Sequence, residues 1–458
     1  MSIFFKLSDF IKKHSGVMQK QCTKPKNSDI LIVHGGERKM ISNIEFNCYR
    51  FFDNSILSFV ADARTKKLMS NSVEIDGKNI LKTVGIYGPN NSGKTNIVKL
   101  MSLVKNVLLG KELIVFNNPI FNDPESIYFS IIFNNLDDLG WIKYEFTYNN
   151  AKLQYESEKL SSITYYQSGK FTQKVIFEKN NKDKILKVFD DDKSEYLSII
   201  PSRLPFLYSI ELESMTFSNL KEYLSSLRKL ADSIQIVKMY DIPIENTIEA
   251  MKTSDNKKIN FIKEFVKNAD IDISDFEYND EALSEVNGQI NEEALNRFKK
   301  LSDKYRLLTT YGSTKVPSFL FDSTGTKKIE SIASYIYDAL VDGKTLIIDE
   351  MDNGLHFKLT RSIVSLFNNM INTKGQLLFI THDLLLIDCN KLMRKDQIYF
   401  INRQDHVASL YCLKEATIID GGPREVNDII KHYNRGEFGN VPNPNFIDLI
   451  IEVLGNEQ

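Results

Sequence analysis

The stretch Gly88-Pro89-Asn90-Asn91-Ser92-Gly93-Lys94-Thr95 constrains this chain more than any other. It fits G-x-x-x-x-G-K-[ST] at every specified position. In that pattern backbone N–H groups wrap a polyphosphate while a lysine and a hydroxyl close on it. The flanks agree. Thr83 to Tyr87 is a short buried-strand pattern. From Thr95 onward, Ile97, Val98, Met101, Val104 and Leu108 recur on one helical stripe. Strand, loop and helix in that order aim a helix N-terminus at an anion. Lys94 is expected against the β- and γ-phosphates of ATP, and the Thr95 hydroxyl on Mg²⁺.

A second segment completes the chemistry. Thr345-Leu346-Ile347-Ile348-Asp349-Glu350 is an apolar strand ending in two carboxylates. Alone it reads equally as a strand reaching a polar turn. Paired with the P-loop it reads as a Walker B element, with Asp349 holding Mg²⁺ through water and Glu350 deprotonating the attacking water. Lys94 and Asp349 are more than half of the chain apart. To reach one Mg²⁺ their strands are expected to neighbour each other in one sheet. The residues between then form an insertion within one nucleotide-binding fold.

Three further segments fit the scheme. Asp349 to His356 continues as a D-loop would, with Asp352 at its centre. Leu377 to Asp383 is a buried strand ending in His382, placed as a switch histidine for the γ-phosphate. Asp322-Ser323-Thr324-Gly325-Thr326 opens a helix striped with Ile329, Ile332, Ala333, Ile336 and Leu340. Ser323 or Thr324 can serve as a simple N-cap. Ser323, Gly325 and Thr326 would equally suit a γ-phosphate presented by a second subunit.

The rest of the chain sets bounds. Among 458 residues no run approaches the ~18 apolar residues of a membrane span. The start, with charges inside its apolar stretch, does not read as a secretory signal. Cys22, Cys48, Cys389 and Cys412 are scattered, as reduced thiols of a cytosolic protein are. A net charge of −2 leaves nucleic-acid binding dependent on a local basic surface. Four segments are expected. Residues 1–39 are a basic N-terminal extension, read either as a docking arm or as a loosely attached one. Residues 40–208 are the N-terminal half of the head, with the P-loop and an antiparallel meander. Residues 209–317 are a helical insertion, whose acidic stretch 270–293 reads as a solvated turn or hairpin. Residues 318–458 are the C-terminal half, with strand–helix alternation and a parallel sheet.

The order P-loop, inserted lobe, Ser/Gly signature helix, Walker B, D-loop and switch histidine resembles an ABC-type ATPase of the SMC-like group. More narrowly, the chain resembles the AAA family ATPases of the abortive-infection group, relatives of the ATPase half of the OLD nucleases. The narrow resemblance rests on GPNNSGKT, the S-x-G-T signature, DEMDNGLH, and a tail with Arg394–Phe400 followed by Arg435–Gly439. It implies an α/β P-loop ABC/SMC-like ATPase head with an antiparallel β lobe and a helical insertion. It also implies ATP and Mg²⁺ as ligands, and assembly with itself through shared ATP sites. A separate effector, a nuclease or toxin, is the implied partner in anti-phage defence, and DNA or a phage component a further one. The signature is not LSGGQ, which argues against transport, and too few residues follow His382 for a Toprim domain. A chromosome-maintenance or DNA-repair ATPase is the alternative, and a transporter subunit the third reading.

Overall fold

The computed structural model describes residues 39–113, 126–135, 139–166, 170–212, 217–269, 272–279, 302–404, 407–415, 426–438 and 446–455. All but Lys39 of the basic extension lies outside these, as do residues 270–271 and 280–293 of the acidic stretch and Gly439 of the tail. The chain forms two compact units. One contains Thr247–Ala333; the other, larger, spans Glu37–Asn246 and Ser334–Gln458.

In the larger unit β1 (Lys39–Asn47) pairs with β2 (Ser55–Ser58), and β3 (Ser72–Ile75) with β4 (Lys78–Leu81). Next, β5 (Thr83–Tyr87) runs into the P-loop and the helix Lys94–Leu108. A meander follows: β6 (Ser126–Asn135), β7 (Gly140–Asn149), β8 (Gln154–Tyr165), β9 (Phe171–Asn180), β10 (Ile185–Val188) and β11 (Asp191–Asp192). The helix Lys221–Ser233 then leads into β12 (Ile234–Lys238). In the smaller unit, β13 (Ile273–Tyr278), β14 (Leu307–Tyr311) and β15 (Thr314–Pro317) make an antiparallel sheet. After the helix Thr324–Asp342 come β16 (Thr345–Asp349), the helix Phe357–Phe367, β17 (Gln376–Thr381), β18 (Ile398–Gln404) and β19 (Val407–Cys412).

The larger unit holds two principal sheets. The meander, β1 and β2 form one, in the order β11-β10-β9-β8-β7-β6-β1-β2. The other runs β12-β16-β17-β5-β18-β19, parallel except for β19 at its edge. Its central strands β5, β16 and β17 are buried at every residue, as apolar strands in a parallel sheet are. The expectation that the P-loop and Walker B strands would be neighbours is corrected here. They share one sheet, but β17 lies between them. One strand spacing of ~5 Å becomes two, and His382, at the end of β17, falls between the two motifs.

Helix and lobe follow from their patterns. Ile97, Val98, Met101, Val104 and Leu108 of the P-loop helix are all buried. The meander closes on an aromatic core that includes Phe129, Phe133, Trp141, Tyr144, Phe146 and Tyr148. Glu158 and Lys179 are buried there too, 3.3 Å apart. Glu158 also accepts from Tyr144 (3.0 Å) and from the Phe206 N–H (2.8 Å). Such partners are what make a buried charge tolerable.

Polar side chains fasten the N-terminal strands to the parallel sheet. The amide of Gln376 accepts from Ile41 N–H (2.7 Å) and donates to Ile41 C=O (2.9 Å), as a neighbouring strand would. Arg394 and Asp396 form a buried pair at 2.7 Å, and Asp396 also accepts from Asp62 N–H. Gln397 donates to the Thr83 carbonyl at 2.9 Å and bonds Asn71 and Asn368. The polar half of the Arg394–Phe400 motif is thus an internal tie, and its apolar half, Ile398-Tyr399-Phe400, is the start of β18.

Candidate nucleotide site

The P-loop takes its shape from two glycines. A Cβ at Gly88 would lie 2.8 Å from Ser92 Oγ. Gly93 has φ +108°, which L side chains rarely adopt, and a Cβ there would run into the ring of Phe51. No side chain caps the helix that follows, so its first N–H groups face the loop. Ser92 Oγ is buried without a hydrogen-bond partner among the described residues. Pro89 is half-buried, Asn90 and Asn91 are exposed, and Asn91 has φ +61°.

Lys94 is 6% exposed, and its ammonium folds back on the loop, donating to the carbonyls of Gly88 (2.7 Å) and Pro89 (2.6 Å). Burial brings its pKa down to about 8, against the pull of Asp349, Asp352 and Glu350. Those three carboxylates therefore share one electrostatic neighbourhood with the P-loop lysine.

Asp349 ends β16 fully buried, and neither carboxylate oxygen has a hydrogen-bond partner among the described residues. Burial and then Glu350 raise its pKa, while Thr95, Lys238 and Lys94 lower it. A buried pair of hard oxygens beside the Thr95 hydroxyl matches what Mg²⁺ takes as ligands. Glu350 follows in the left-handed region at φ +54°, a conformation that costs ~1–2 kcal/mol for a residue with a Cβ. Its Oε2 accepts from Asn353 Nδ2 at 2.9 Å. Asp352 Oδ1 accepts from the Thr381 hydroxyl (2.6 Å) and from His382 N–H (3.2 Å). His382 is exposed at the end of β17. Its pKa is lowered by desolvation and by Lys94, with Asp352 and Glu350 acting the other way.

The signature lies in the smaller unit. Ser323 and Thr324 are exposed, Gly325 is half-buried and Thr326 is buried. Ser323 Oγ accepts from Thr326 N–H at 3.1 Å and lies 2.9 Å from the Thr326 hydroxyl, so Ser323 is the N-cap of the helix.

Two features of the site escaped the sequence. Lys238 ends β12 directly across the parallel ladder from Asp349, with both side chains on the same face. Among the described residues it has no ion-pair partner, and its ammonium lies 5.9 Å from the centre of the Tyr240 ring. Arg403, on β18, donates to the Asn91 carbonyl (2.9 Å) and lies 4.6 Å over the ring of Phe51. No spacing rule singles out these residues.

A parallel sheet with a P-loop, a Walker B strand and a histidine strand between them defines an ATPase of the P-loop class. The chain belongs to the family described as "AAA domain, putative AbiEii toxin, Type IV TA system", whose model matches residues 84–388. Solved structures similar to the chain include an SMC head domain from Thermotoga maritima. It is 12% identical, with 81% of this chain and 98% of that one covered and a TM-score of 0.39. An Smc head bound to the C-winged helix domain of ScpA is 15% identical, covering 82% and 99%, with a TM-score of 0.44. The recombination mediator RecF is 14% identical, covering 83% and 100%, with a TM-score of 0.33. No curated protein sequence matches the chain significantly. Among the described residues, no helix is long and apolar enough to cross a membrane.

Proposed function

We propose that this ATPase is the sensor or regulatory subunit of a bacterial abortive-infection system, acting in the cytoplasm on a separate effector. The family description, with its type IV toxin–antitoxin assignment, is the observation that carries the defence reading. Lys94 leaves the carbonyls of Gly88 and Pro89 to meet the β- and γ-phosphates. Thr95 and Asp349 would hold Mg²⁺, which neutralises phosphate charge when bound. Glu350, oriented by Asn353, takes the proton of the attacking water. Asp352 keeps His382 at the γ-phosphate end through its bond to the backbone. Ser323, Gly325 and Thr326 complete the site of a second copy, so nucleotide binding and assembly are coupled.

Mixing two crippled subunits tests the shared site. Gly325→Trp blocks the signature and leaves that subunit's P-loop intact; Lys94→Ala does the reverse. Hydrolysis should return on mixing, because one composite site is then whole. Absence of rescue at every ratio would sink the model. For the defence role, the chain is expressed without its genomic neighbours and challenged with phage, and the purified protein is assayed for nuclease activity. Neither protection nor cleavage is expected. Full protection by the chain alone would overturn the partner-effector reading, and salt-sensitive, ATP-stimulated DNA binding would favour a chromosome-maintenance role instead.

A further inference from the structure

The smaller unit holds a buried polar group that takes no part in the chemistry above. Thr309, in the middle of β14, has its hydroxyl oxygen 2.5 Å from Asp322 Oδ2, 2.7 Å from Ser318 Oγ and 3.4 Å from Glu330 Oε1. Tyr311 donates to Asp322 Oδ1 at 2.9 Å. Asp322 is 5% exposed and Glu330 1%.

Counting protons decides how this group is charged. Thr309 owns one hydroxyl proton, and the shortest contact assigns it to Asp322. The Tyr311 proton goes to the other Asp322 oxygen. Ser318 is then the donor to Thr309. None of these hydroxyls has a proton left for Glu330. A second bare carboxylate, buried beside the first, would be strongly disfavoured.

The location gives the group a purpose. Asp322 immediately precedes Ser323. Glu330 sits on the helix that Ser323 caps, beyond Gly325 and Thr326. The Thr309 hydroxyl brings the residue before the signature turn and the helix after it to one point on β14, and Tyr311 holds Asp322 there as well.

We propose that Asp322 and Glu330 share one proton and act as positioning residues, holding the Ser323–Thr326 turn in the shape that receives the nucleotide of a second copy. This rests on the shared-site reading above. Burial, and then Asp322, push the Glu330 pKa well above the usual carboxylate range, with Thr309 and Lys327 opposing. Tyr311, which donates to Asp322, is a further titratable group in contact with the pair. Because the folded-state value is raised, the clasp is intact at low pH and is lost as pH rises through that value.

The test uses the mixed assembly, in which a Gly325→Trp subunit supplies the P-loop and a Lys94→Ala subunit supplies the signature. Second changes are placed in the signature subunit only. Glu330→Gln keeps a donor without a titrating proton. It should retain most of the hydrolysis and, at saturating ATP so that the Lys94 ammonium of the P-loop subunit does not limit the rate, remove the part of the parent mixture's decline with rising pH that Glu330 causes. Glu330→Ala should lower hydrolysis by about tenfold or more, the loss of one buried hydrogen bond. The same change added to a Gly325→Trp chain, whose signature is already blocked and whose P-loop is intact, should leave fluorescent-ATP binding unaltered. If Glu330→Ala melts the unit, the Gln comparison decides alone. Profiles of rate against pH at saturating ATP that superimpose for Glu330→Gln and the parent mixture overturn the proposal, as does full hydrolysis with a folded Glu330→Ala. If the parent mixture shows no rescue, the shared-site reading fails first and the proposal falls with it.

Discussion

Thr381 donates its hydroxyl to Asp352 over 2.6 Å, and the next backbone N–H, that of His382, reaches the same oxygen at 3.2 Å. One carboxylate thus locks the turn after β16 to the end of β17. Asp352→Ala should destabilise the protein by ~1–3 kcal/mol, as expected when charge-assisted hydrogen bonds to a buried hydroxyl are removed. Turnover should fall about tenfold as His382 loses its fixed position. Asp352→Asn, which keeps an acceptor, should recover most of the stability. Urea unfolding and steady-state hydrolysis provide the check; unchanged turnover in Asp352→Ala would show that the lock does not serve catalysis.

The proposed role of Lys94 sets a pH limit on ATP affinity. Its pKa is held down to about 8 by burial, so the charged form is complete only below that value. Phosphate binding needs the ammonium. Affinity should be level at lower pH and weaken as pH rises past 8, approaching about tenfold per unit. Lys94→Ala should bind weakly at every pH. Titration with a fluorescent nucleotide measures both; a flat profile up to pH 10 would contradict the role given to Lys94.

Glu350→Gln should bind ATP and fail to hydrolyse it. The amide can still engage Asn353 and the water but cannot accept a proton, a loss of ~10²–10⁴ in rate. Size-exclusion chromatography with ATP should show an accumulated larger assembly. Wild-type single-turnover rates would remove Glu350 as the base.

Lys238 faces Asp349 across the ladder and competes electrostatically with any cation there. Lys238→Met should lower the Mg²⁺ concentration for half-maximal hydrolysis about threefold to tenfold at low salt, and less at high salt. Identical Mg²⁺ titrations for both proteins would rule the coupling out.

Much of the candidate site was legible because its motifs are local. GPNNSGKT needs only eight consecutive residues, and the strands before Asp349 and His382 are unbroken apolar runs. Strand order was not legible, because β17 enters between β16 and β5 through long-range packing that no periodicity encodes. Strand β12 was hidden within a helical stretch: Ile234-Gln235-Ile236-Val237-Lys238 is short and carries polar residues. Within the expected meander, strand β8 carries Glu156, Glu158 and Lys159, which read as surface in the sequence. In fact Glu158 is buried with its partners. Gln376, Arg394, Asp396 and Gln397 look solvent-facing in sequence, and each is internal because a specific backbone or side-chain group waits for it.

The left-handed backbone at Glu350 sets folding against chemistry at a single position. Glycine would sit there without the ~1–2 kcal/mol burden that a Cβ carries, so heat resistance and turnover pull the residue in opposite directions. Screens that reward melting temperature alone would drift toward Glu350→Gly and deliver a sturdier protein without the carboxylate proposed to activate water. Any thermostabilised version of this ATPase needs position 350 held fixed.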